Sequence, residues 1–191
     1  MSKVKNNLRT AAVCVVIAFV CLFGYIMLQN MCAELFIRWG LEKRDSGGDF
    51  FVSGFWAVFI IGALVYPVVE ELIFRLACCK LLQLTKLRDW CVIGISAVIF
   101  MLYHRSWSQT AYQLLMGIWF AWIFLKTNNI GWTMLMHVIN NAFILTYTYF
   151  TDDNGVFVLN AGSIILSVVL AIVTTVAVTF LIKKGIPKYE K

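Results

Sequence analysis

The chain has only two histidines, and both lie in apolar runs: His104 ends Val98-Ile-Phe-Met-Leu-Tyr103, and His137 stands within Met134-Leu-Met-His-Val-Ile-Asn-Asn141. A third apolar run carries Glu70, Glu71 and Arg75. Ionisable groups deep in apolar segments are expensive to keep there and mark a site where they serve one another. Glu71 and Arg75 are four residues apart, so on a helix they share a face and can pair, which lowers the penalty on both charges. Glu70 is turned about 100° from Glu71 and is the carboxylate freer to meet water. His137 and Asn141, also four apart, put two hydrogen-bonding side chains on one face, a spacing suited to holding a carbonyl oxygen as it becomes negative. The chemistry these residues support is hydrolysis by an activated water. A carboxylate in a low-dielectric cavity acts as the base, a histidine orients the same water, and donors opposite stabilise the tetrahedral intermediate. Cys78 and Cys79 follow the acidic pair but sit towards one end of that helix and make no convincing nucleophile–base pair.

The elements that must position these groups are membrane helices. The composition, 61% hydrophobic and 14% charged with a mean hydropathy of +0.83, lies far outside the soluble range of about 45–50% apolar and 25% charged. The chain reads as an all-α polytopic bundle of about six spans: Leu8 to Met31, Phe51 to Leu82, Trp90 to Trp107, Ser108 to Lys126, Ile130 to Phe150 and Gly162 to Ile182. Its 191 residues leave room for a single domain, 1–191, and little else. Pro67 predicts a tilt, kink or break in the second span. At about 1.5 Å per residue, three helices bring Glu70, His104, His137 and Asn141 to a similar depth, on the order of 10–20 Å from the cytoplasmic face.

Basic residues concentrate on the N-terminal side of the bilayer (Arg9, Lys80, Lys86, Arg88, Lys126, Lys183), while Glu34, Glu42, Asp45, Asp49, Asp152 and Asp153 fall on the other. The positive-inside rule then places both termini in the cytoplasm. The net charge of +6 is spread over termini and short loops, which argues for topology signals and against nucleic-acid binding. Six cysteines without a C-x-x-C pair point to small buried hydrophobes, not to a zinc ribbon or disulfide framework. The N-terminal apolar run is too long for a secretory signal core and reads as a retained first helix. The segment Cys32 to Phe50 is expected to be an exposed connector.

Glu70-Glu71-Leu-Ile-Phe-Arg75, Phe100-Met-Leu-Tyr-His104 and His137-Val-Ile-Asn-Asn141 resemble, in order and spacing, the E-E-x-x-x-R, F-x-x-x-H and H-x-x-x-N motifs of the CPBP family (CAAX proteases and bacteriocin-processing enzymes, also called Abi proteins). The resembling region, about 67–143, covers roughly two fifths of the chain. Leu76 stands where many relatives have glycine. The resemblance implies an intramembrane endopeptidase of the glutamate type, in which Glu70 activates water with help from His104. It gives His137 and Asn141 the oxyanion site, and Glu71 and Arg75 a supporting role. A set of two histidines and two glutamates can also hold zinc. The metal-free reading, with no cofactor, is favoured because a water-activating carboxylate needs no metal. The expected partner is a peptide or membrane-protein substrate in a multi-pass setting, the plasma membrane of a bacterium, with bacteriocin immunity or peptide processing as the implied context. Two other readings differ in kind: a binding protein that keeps the fold without cleaving, and a transporter, for which no inverted repeat is visible.

Overall fold

The computed structural model describes residues 2–43, 54–151 and 157–189. Among the described residues six helices form the bundle: α1 (Ser2–Arg38), α2 (Phe55–Leu84), α3 (Asp89–Tyr103), α4 (Thr110–Thr127), α5 (Ile130–Thr151) and α6 (Ala161–Gly185). No strand occurs among the described residues. By length and composition α1, α2 and α6 can cross a membrane. The others have 15, 18 and 22 residues, and α3, at about 22 Å, is shorter than a hydrocarbon core of about 30 Å. The acids Asp45, Asp49, Asp152 and Asp153 lie outside the described residues.

Packing divides the bundle in two. Helix α1 lies against α6, α5 and α4, whereas α2 lies against α5 and α3 on the far side. The main core is built from Cys14, Ile17, Cys21 and Tyr25 of α1 against Met116, Phe120 and Ile123 of α4, Met136 of α5 and Val178 of α6. Close approach of α3 and α4 depends on Gly117, where a Cβ would come within 3.0 Å of Ala97 Cα. Small residues at such crossings let backbones meet and gain dispersion contact that lipid cannot replace.

Helix ends carry chemical stops. Helix α1 runs past the expected Met31 because Cys32–Ile37 continue as helix formers and Arg38 pairs with Glu34 one turn back at 2.9 Å. It ends in a Schellman turn: Gly40 has φ 70°, its N–H reaches the Ile37 carbonyl, and the Leu41 N–H reaches Phe36. The first part of the expected Cys32 to Phe50 connector is therefore helix. Asn160 and Ser163 form a reciprocal capping box at the start of α6. At its other end Lys126 Nζ and the Arg9 guanidinium donate to the carbonyls of residues 182–184.

Helix α2 is neither broken nor regular. Ile60–Val65 and Leu72–Cys79 are π-helical, and the α-helical Tyr66–Glu71 lies between them. Pro67 explains the first of these: in an α-register its ring would strike the carbonyl four residues back, and the wider turn relieves that contact. Pi-turns are uncommon and concentrate at functional sites. Here two of them flank Glu70 and Glu71.

Candidate active site

Arg75 anchors the site. Its Nε donates to Glu71 Oε2 at 3.2 Å, and both side chains are 0% exposed. Its Nη1 donates to Ser96 Oγ on α3 at 3.0 Å, and the guanidinium lies over the rings of Phe100 and Phe120 at 4.9 and 5.7 Å. A buried cation of this kind is held by one carboxylate, one hydroxyl and two π-faces. The pair expected from the four-residue spacing is present, and it reaches across to α3 and α4.

Glu71 in turn aligns His137. Its Oε1 lies 3.1 Å from His137 Nδ1, so the carboxylate assigns the proton to Nδ1 and leaves Nε2 as an acceptor. The ring sits between Phe100 and Phe120, with centroids 5.8 and 5.1 Å away. Its Nε2 points at Glu70 Oε2 from 3.6 Å.

His104 approaches Glu70 from α3. It is the residue that closes that helix, which stops at Tyr103 and not at Trp107, because Arg105 takes a left-handed φ of 52°. His104 Nδ1 lies 2.9 Å from the Phe100 carbonyl and must donate there, so its Nε2 is also an acceptor, 3.8 Å from Glu70 Oε2. Ser96, Phe100 and His104 are four residues apart in succession and form one stripe of α3 facing α2.

Glu70 Oε2 is buried and makes no hydrogen bond. Two ring nitrogens with lone pairs face it at distances too long for a direct bond. Three acceptors therefore surround one small space, and only a species that brings hydrogens or positive charge satisfies them together.

Asn141 lies one turn beyond His137 and is held from the opposite direction. Its Nδ2 donates to the Gly62 carbonyl at 3.1 Å. The Tyr66 N–H already bonds Ile61 five residues back, and in that register the donor owed to Gly62 is residue 67, a proline without N–H. Asn141 fills the vacancy with one of its two N–H bonds. Asn140 faces the core, where the Tyr112 hydroxyl donates to its Oδ1.

The site thus gathers Glu70, Glu71, Arg75, His104 and His137, with Asn141 on the adjoining turn. Sequence reasoning missed Ser96, the Phe100 and Gly62 carbonyls and the ring of Phe120. The four-residue stripe on α3 was a signal for Ser96. Residues 52–143, which contain every one of these groups, match the family model described as type II CAAX prenyl endopeptidase Rce1-like. Neither a curated protein nor a solved structure matches the chain.

Proposed function

The chain belongs to the CPBP family of CAAX-type membrane endopeptidases, and on that premise we propose that it hydrolyses a peptide bond within the bilayer with water activated by Glu70. It is a multi-pass membrane protein. The observation that carries the mechanism is the buried, unbonded Glu70 Oε2 faced by the Nε2 atoms of both histidines.

Proton inventory gives the roles. Water brings two hydrogens to three acceptors, so one of the three carries a proton of its own when water is bound. Glu70 and His104 accept the two water hydrogens, and His137 carries the third proton on Nε2. As the water oxygen attacks the substrate carbonyl carbon, its proton passes to Glu70 and the carbonyl oxygen becomes negative. His137 Nε2–H and the remaining N–H of Asn141 donate to that oxygen. Glu70 then returns the proton to the departing nitrogen, the C–N bond breaks, and a carboxylic acid, which keeps the second water proton, and an amine leave. Arg75 and Glu71 position His137 throughout.

Two imidazoles and a carboxylate are also a set that zinc accepts. The metal-free route is the one proposed, because a buried carboxylate can take the water proton without a metal. The test is mass spectrometry of membrane and secreted peptides from cells expressing the native chain or Glu70→Ala at equal level. A new terminus that depends on Glu70, and that persists in purified protein treated with a strong zinc chelator, is the expected result. Loss of cleavage on chelation, restored by zinc, would replace the metal-free step. Identical peptide profiles with an intact cellular phenotype would favour the binding-protein reading.

The substrate is proposed to be a peptide or a membrane protein, with bacteriocin immunity or peptide processing in a bacterial plasma membrane as the setting. The six-span arrangement with cytoplasmic ends belongs to the same proposal. It is supported by Arg9, Lys126, Lys183 and Lys184 meeting at one end of the bundle. A reporter fused after Lys191 should be active only in the cytoplasm; activity on the other side overturns the topology.

A further inference from the structure

Beyond the residues already placed around Glu70, we infer that Glu42 is a positioning residue for His104. The inference rests on the reading in which His104 orients the water. Glu42 follows the Schellman turn of α1 by one residue, so its place relative to that helix end is set by backbone hydrogen bonds. From there its carboxylate reaches the turn that leaves His104. Oε1 accepts from the Ser106 hydroxyl at 2.9 Å, and Oε2 accepts from both the backbone N–H and the hydroxyl of Ser108.

That turn needs an outside support. Arg105 adopts φ 52° with a full side chain, a conformation that costs any residue but glycine strain. Glu42 offers three acceptor contacts to the two residues that follow within three positions, and three bonds to one ionised carboxylate make a strong clamp. Phe36 of α1 adds a ring contact to Trp107 of the same turn, with centroids 5.7 Å apart. The end of α1 therefore holds the C-terminal turn of α3 at the residue where His104 leaves the helix. Since His104 Nε2 stands 3.8 Å from Glu70, a small release of this turn changes whether the two can share a water. A misplacement of about 1 Å in such a constellation is worth up to about a hundredfold in rate.

Because His104 and His137 are the only histidines, histidine-selective ¹⁵N labelling reports each ring separately, with His104→Asn used for assignment. In purified full-length Glu42→Ala, the His104 ring nitrogens should shift towards a mixture of tautomers while His137, held by Glu71, keeps its signals. In a cleavage assay kcat should fall on the order of tenfold with KM little changed. The second substitution Arg105→Gly removes the left-handed strain and should restore part of both. If Glu42→Ala does not fold well enough to purify, Glu42→Gln, which exchanges one acceptor oxygen for a donor, is read in the same way. Unchanged His104 signals together with unchanged kcat overturn the inference. The nitrogen spectra do not depend on catalysis, so a shifted His104 in a protein without protease activity would sink the proteolytic reading and leave the tether standing.

Discussion

Glu70→Gln is expected to reduce peptide-bond cleavage by about a thousandfold, within the range seen for loss of a general base, while the protein accumulates and melts like the native chain. The substitution keeps size and shape but removes the group that takes the water proton. Stability should hold because Glu70 Oε2 makes no hydrogen bond in the folded protein, so no hydrogen bond at that oxygen is withdrawn. The amide can even donate to one of the facing ring nitrogens and relieve the crowding of acceptors. Measurement of kcat/KM and of the thermal midpoint in the same detergent separates the two effects. Cleavage above about a tenth of the native rate would show that some other group takes the proton.

Arg75→Met should act in the opposite order, on the fold first. It leaves Glu71, fully buried, without its cation, and breaking a buried pair from one side costs about 3–5 kcal/mol. For a chain of this size that corresponds to a fall in midpoint of roughly 10 °C. The informative comparison is the double variant Glu71→Leu with Arg75→Met. Replacing both partners by apolar groups is often neutral or better for stability, so the midpoint should largely recover. Activity should not, because His137 Nδ1 loses the carboxylate that fixes its proton and orientation. Recovery of both together would mean that the pair serves only the fold; recovery of neither would mean that Ser96 and the aromatic faces around Arg75 dominate its energetics.

The parts of this site that follow from spacing were readable in advance. Four residues on a helix are one turn, so the Glu71–Arg75 pair and the divergence of Glu70 come directly from position. The helical class and the location of the bundle follow from composition, since no other fold hides so many apolar residues along runs of this length. What could not be read depends on backbone choices that apolar sequence conceals. The expected span reaches the interfacial Trp107, whereas a left-handed Arg105 ends the helix at Tyr103 without a glycine or asparagine to announce it. Pro67 announced a disturbance in α2, but a wider helical turn, not a break, was the solution. That change of register decides which carbonyl loses its donor, and hence why Asn141 faces Gly62. The attachment of Glu42 to Ser106 and Ser108 spans more than sixty positions, and no local pattern encodes it.

The link between Pro67, Gly62 and Asn141 makes the history of substitutions at these positions depend on their order. Losing Asn141 while the proline remains strands a carbonyl inside the protein, a step with a penalty of about 1–3 kcal/mol. Exchanging the proline first lets residue 67 supply a backbone donor, after which Asn141 is released from that duty. The two positions thus form an epistatic pair with one permissive direction. A descendant lineage that dispensed with cleavage could abandon the asparagine readily only after the proline had gone.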